Sequence, residues 1–222
     1  MVGNGGIKQV GTGLSQIPKR EGTFIMGAEN AEESARAPEV KMAFIHYQQT
    51  EGGEGYHGGT LVTDSGGKPL EFRSTSIVRP NFVQRTLYGS TLLAHLAQEL
   101  FAIPLMEALR EEPNVVLVRD ETLLDIRLQV ECPVLHVRRQ GETIEMPKGS
   151  ERESQATSEV IACPSGRFQP VVLTPHWQYR EEARRVRGEL EPVFARMDLL
   201  EPFERVGRAL EELARQEAAD TT

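Results

Sequence analysis

Apolar residues fall into two rhythms along this chain. From Val40 to Gln48 they alternate with polar ones, Val40, Met42 and Phe44 sharing a side with His46, and that period of two predicts a β-strand. His57 to Asp64 and Pro69 to Ser76 flank Ser65-Gly66-Gly67-Lys68, so a β-hairpin is expected, with glycine supplying the positive φ a tight turn needs. The preceding TEGGEGYHGG reads as a mobile loop. Leu61-Val62 and Ile77-Val78 are adjacent apolar pairs, which predicts cover on both faces of those strands.

Beyond Asn81, an acceptable N-cap, the period lengthens. Val83, Leu87, Leu92, Leu93, Leu96, Leu100 and Phe101 recur at helical spacing, predicting one long helix that ends near Glu111. Pro104 has no N–H to continue the ladder, so the helix must kink or restart at Ile103-Pro104. Asn114 to Val118 is a wholly apolar strand, Glu121 to Gln129 a short helix, and Val134 to Val137 another strand. Glu159 to Cys163 and Phe168 to Leu173 form a second expected hairpin. Two helical stripes close the chain. Tyr179, Ala183, Val186, Leu190, Phe194 and Met197 make the first, with Pro192 predicting a kink; Leu200, Phe203, Val206, Leu210 and Leu213 make the second. Asp198 with Glu201 matches a capping box, and Glu201/Arg205, Glu204/Arg208 and Glu211/Arg215 stand i,i+4 in the favourable order.

Strands joined by tight turns favour an α+β fold over a doubly wound one. The expectation is a mixed, mainly antiparallel sheet covered by one long helix, with a C-terminal helical pair, all in a single domain over 39–222. Residues 1–38 read as a flexible or weakly helical tail, glycine-rich to residue 22 and helical for a turn or two before Pro38. The polar stretch 141–158 reads as a surface loop.

Composition narrows the function classes. With 39% hydrophobic residues the chain can bury a core, and a net charge of −8 argues against a general nucleic-acid coat while leaving room for a local basic site. Cys132 and Cys163 sit in apolar contexts without metal-ligand spacing, as expected of thiols in a reducing compartment. No apolar run approaches the roughly 20 residues needed to span a bilayer, and no leader pattern opens the sequence, so a cytoplasmic protein without membrane contact is expected.

Chemistry-bearing residues concentrate in 57–88. No GxSxG nucleophile motif is present, and the five histidines are scattered singly. Asp64 near the end of one hairpin strand, with Glu71 and Arg73 on the next, would place two carboxylates and a cation on one edge. That combination suits a metal-dependent phosphodiesterase: carboxylates for the cation, a guanidinium for the phosphate. The set, with the order helix, three strands, helix, strand over roughly residues 28–119, resembles the catalytic core of the PD-(D/E)xK nuclease family, although Arg73 stands where that family carries lysine. The resemblance implies Mg²⁺ and a nucleic-acid partner. The other reading of the same residues is a turn aspartate and a solvated ion pair.

Arg79 and Arg85, at the start of the long helix, form a second candidate set with Tyr88 and His57: a ligand-binding pocket for an anion. Two functions follow. The main expectation is a non-catalytic protein that binds a partner or ligand without a cofactor, as a subunit of an assembly or a homodimer. The alternative is the nuclease of Asp64, Glu71 and Arg73.

Overall fold

A computed structural model describes residues 7–8, 40–53, 55–142 and 157–220. The expected tail over 1–38 lies outside the described residues apart from Ile7 and Lys8, and so does most of the loop over 141–158. The architecture is α+β, as expected. One mixed sheet carries β1 (Ile7–Lys8), β2 (Met42–Gln49), β3 (Tyr56–Thr63), β4 (Pro69–Thr75), β5 (Val115–Val118), β6 (Val134–Arg139), β7 (Glu159–Ile161) and β8 (Val171–Pro175), in the order β1-β4-β3-β2-β5-β6-β8-β7. Only β2/β5 and β5/β6 are parallel; every other neighbouring pair is antiparallel.

Three parallel strands at the centre need cover on both faces, and their sequences supply it. Met42, Phe44, Val115, Leu117, Leu135 and Val137 point to one side, against α4 (Glu182–Phe194) and α5 (Glu201–Asp220). Phe203 of α5 meets Phe44 edge to face at 5.4 Å. Ala43, Ile45, Val116, Val118 and Val134 point to the other side, against Ala97 and Ala102 and against Leu123 and Ile126 of a 3₁₀ helix, Glu121–Leu128. The expected C-terminal helical pair is therefore one whole layer of the domain. The three expected i,i+4 pairs of α5 are formed at 2.9, 3.6 and 3.8 Å.

The single long helix is corrected to a broken run. α1 (Phe82–Tyr88) starts on a full capping box between Asn81 and Gln84, and Gly89 ends it at φ +50°. A 3₁₀ turn leads into α2 (Leu92–His95), then a π-helical segment, Leu96–Ala102, and α3 (Ile103–Glu107). Pro104 explains the π segment. Its ring would clash with the Leu100 carbonyl in a tight ladder, and widening the turn, with Ile103 N–H donating to Gln98 O, relieves that clash. Breaking the run also rotates its apolar face. Leu96, Phe101 and Leu105 are buried, but Leu93 is 46% exposed, and Val83 and Leu87 of α1 are 60% and 78% exposed.

Gly58 and Gly59 let both helical layers approach β3. A Cβ on Gly58 would lie 2.7 Å from Cβ of Phe101, and one on Gly59 would lie 3.2 Å from Leu210 and Val206 on the opposite face. The expected loop at 50–59 is correspondingly shorter, because Tyr56 to Gly59 pair with Gln49 to His46 as strand. No helix among the described residues is long and apolar enough to cross a membrane.

Candidate active site

In an open sheet, ligands bind beyond the carboxyl ends of parallel strands, where side chains leave the packed core. Here that edge lies just past Ile45, Val118 and, one strand over, His136, which are in register across β2, β5 and β6. The chain turns polar abruptly there: His46-Tyr47-Gln48 follow Ile45, and Arg119-Asp120-Glu121 follow Val118. Strand alternation then divides these residues between the two faces.

On the α5 face, His46 and Arg119 line a cleft of about 530 Å³ together with Phe203, Glu204, Gly207, Arg208 and Glu211. Arg119, Phe203 and Glu204 also line a second hollow of about 440 Å³, which extends toward Arg139 and Gln169. Burial holds the His46 imidazole below its ordinary pKa of 6.5, the charge of Arg119 adds to the effect, and a hydrogen bond with Gln48 opposes it. His46 is thus neutral at pH 7 and able to accept a proton. Arg119 pairs with Glu142 at 2.7 Å, but both side chains are more than a third exposed, so a phosphate can displace that partner at little cost. Arg208 has only a 3.6 Å contact with Glu204, also solvent-exposed.

On the opposite face the polar groups are tied to each other. Asp120 accepts from the Thr122 N–H at 2.9 Å, from the Thr122 hydroxyl at 2.7 Å and from the Tyr47 hydroxyl. Burial and the Asp120 carboxylate push the Tyr47 phenol well above its ordinary value. His136, only 4% exposed, donates through Nε2 to the Arg119 carbonyl at 3.2 Å, and burial lowers its pKa to about 4. Its Nδ1 stands 3.5 Å from Glu121, and His176 lies 3.2 Å from Asp125, so two buried imidazoles face carboxylates of the 3₁₀ helix. The Asp120 bonds to Thr122 and Tyr47 and the His136 bond to the Arg119 carbonyl fix the floor of the edge.

The hairpin set sits elsewhere and is already satisfied. Asp64 Oδ1 accepts from the N–H groups of Gly66 and Lys68 at 2.9 Å each, capping the β3–β4 turn. Glu71 accepts from Arg73 Nε at 2.7 Å through Oε1, and from the Arg110 and Glu111 N–H groups at 2.9 Å through Oε2. Those bonds hold the Glu71 carboxyl below its ordinary pKa against the opposing effect of burial. Arg73 is itself buried in that pair, so Glu71 and Arg73 pin the end of α3 to the sheet.

The anion set is divided. His57 and Arg79 line one cleft of about 410 Å³ with Gln48, Thr50, Ile77 and Arg215. His57 is buried with no hydrogen-bond partner for Nε2, and Arg79 is exposed in the lining of the same cleft. Arg85 donates to the Pro80 carbonyl at 3.0 Å, and Tyr88 stacks on His95 at 4.6 Å; neither lines that cleft. Among the described residues, no three His, Cys, Asp or Glu side chains converge as a metal ion would require.

No protein-family model matches this sequence, and no curated protein matches it. Solved structures do share its fold. Endonuclease V from Streptomyces avermitilis aligns over 82% of this chain and 83% of its own, with a TM-score of 0.53 at 14% identity. Endonuclease V from Ciona intestinalis, solved with a 23mer DNA containing an inosine followed by a ribo-adenosine, gives 0.48 at 12% identity over 84% and 88%. Human ENDOV gives 0.46 at 14% identity over 81% and 86%. The first of these establishes a fold held in common with an endonuclease. It corrects the expectation of a non-catalytic partner- or ligand-binding protein.

Proposed function

We propose that this protein is a phosphodiester hydrolase acting on nucleic acid, with its centre where the parallel pairing of β2 and β5 ends rather than in the β3–β4 hairpin. A fold hosts many activities, so the site must carry the reading. The observation that carries it is the placing of His46 with Arg119 in one open cleft, just past the end of the parallel pairing of β2 and β5. Arg119 and Arg208 hold a phosphate by charge-assisted hydrogen bonds. His46 takes a proton from water as the water oxygen attacks phosphorus. The bond from phosphorus to the leaving oxygen then breaks, and that oxygen takes a proton from solvent. The α1 surface supports the same substrate class. Phe82, Val83 and Leu87 are 82%, 60% and 78% exposed on the short helix that also carries Arg85, an apolar surface of the kind that enters between base steps.

The test is direct. The full chain is incubated with end-labelled single- and double-stranded DNA and RNA, with and without inosine, and the products are resolved on denaturing gels. Cleavage that falls by on the order of a hundredfold in His46→Ala is expected. No cleavage of any of these substrates overturns the reading.

A further inference from the structure

We infer that the positive charge this centre offers a phosphate is a fixed guanidinium, that of Arg119, in place of a bound divalent cation; the inference rests on the nucleic-acid reading above. Mg²⁺ demands about six oxygens in near-octahedral array at about 2.1 Å, with carboxylates free to turn toward it. The sequence resemblance to metal-dependent nucleases raised that expectation, and the donor set of this chain does not fit it.

Four described carboxylates outside the cleft come into question, and Glu71 and Asp120 have both oxygens engaged. Glu71 uses both oxygens on Arg73 and on two backbone N–H groups. Asp64 Oδ1 is spent on a turn. Asp120 lies nearest the edge of β5, yet Oδ1 takes two bonds from Thr122 and Oδ2 one from Tyr47. Coordination there would strip hydrogen bonds from a part-buried phenol, a desolvation cost that a hydrated ion has no reason to meet. Glu121 faces the buried ring of His136. The carboxylates that line the cleft itself, Glu204 and Glu211, pair with Arg208 and Arg215 at 3.6 and 3.8 Å, and among the described residues no three His, Cys, Asp or Glu side chains converge. Arg119 follows β5 directly and lines both hollows, so a divalent ion would meet repulsion there. A guanidinium carries its charge permanently and matches phosphate geometry through two parallel N–H bonds, doing part of what a metal ion does without needing ligands.

The experiment uses the full chain with two probes. MnCl₂ alone is titrated calorimetrically, and a fluorescein-labelled single-stranded oligonucleotide is titrated by anisotropy in EDTA and in Mg²⁺. We expect no saturable Mn²⁺ heat, equal oligonucleotide affinity in both buffers, binding weaker by about tenfold in Arg119→Ala, and partial recovery in Arg119→Lys. Arg119 is exposed, so both variants should keep the wild-type melting temperature, which is measured alongside. Saturable Mn²⁺ binding by the wild type, or oligonucleotide binding that disappears in EDTA, overturns the inference and leaves the nucleic-acid reading standing. Failure to bind any oligonucleotide in either buffer overturns that reading and this inference with it.

Discussion

Arg127 and Glu182 join the two helical layers, and breaking that junction should be among the most damaging single changes in the molecule. Arg127 belongs to the 3₁₀ helix on one face of the sheet, and Glu182 opens α4 on the other. The guanidinium donates to Glu182 at 3.0 and 2.8 Å, to the Val130 carbonyl at 2.7 Å, and lies 3.8 Å over the Tyr179 ring. The two side chains are only 12% and 6% exposed, so water screens the pair weakly. Glu182→Ala leaves a buried cation with a carbonyl and a ring but no counter-charge. The expected loss is about 3–5 kcal/mol, whereas replacing both residues by apolar ones of similar volume should cost much less. A urea-unfolding double-mutant cycle with Arg127→Met and Glu182→Leu separates the two effects and should give a coupling of about 2 kcal/mol or more. A loss below about 1 kcal/mol for Glu182→Ala, or additive single changes, would show that the junction is ornamental and that apolar packing alone aligns the layers.

Three further outcomes follow from named contacts. His136 titrates near 4 in the fold against 6.5 in the unfolded chain, so the unfolded state binds the extra proton between those values; stability should rise with pH across that window and fall by about 3 kcal/mol as pH drops to 4, and a flat profile between pH 4 and 6.5 would refute the burial argument. Leu96→Ala empties a site between Leu92, Phe101 and Leu105 and should cost about 2–5 kcal/mol by urea unfolding, while Leu93→Ala, at an exposed position, should cost well under half of that. Phosphate titrated at constant ionic strength should shift the His57 ring signals in NMR spectra of the wild type but not of Arg79→Ala; identical shifts in both would remove that cleft from consideration as an anion site.

The sheet was legible in the sequence because its signal is local. Alternation from Val40 to Gln48, the glycine turn after Asp64 and the wholly apolar run at Val115–Val118 each name a strand without reference to the rest of the chain. The helical run was legible in period but not in continuity. Pro104 announces a disturbance, yet whether the backbone kinks or widens into a π turn depends on what packs against it, here Gly58 and Phe101. The candidate centre was hidden for a different reason. His46 and Arg119 are far apart in sequence, and only the parallel register of β2 and β5 makes them neighbours. The hairpin carboxylates drew attention because they are close in sequence, and their proximity serves a turn and an ion pair. One clue was available: a fully apolar strand followed at once by Arg119-Asp120-Glu121 marks the point where a buried strand meets solvent.

The parallel joint between β2 and β5 also bears on how the molecule assembles in time. Its lower end is clasped by reciprocal bonds at 2.8 Å between Lys41 and Asn114, residues 73 apart in the chain. No zippering from a turn can bring these strands together; the intervening chain must first be closed into a loop, and the contacts that reward closure arrive afterwards. The β3–β4 hairpin and its extension by β2 have no such delay, so they should form a template on which β5 docks late. Substitutions in Val116 or Leu117 should then mainly accelerate unfolding, while those in Phe44 or Leu61 slow folding. The same logarithmic entropy makes the joint tolerant of length. Doubling the chain between β2 and β5 would cost only about 0.6 kcal/mol in closure, so the exposed turns of that stretch have room to lengthen without loosening the strands that carry the centre.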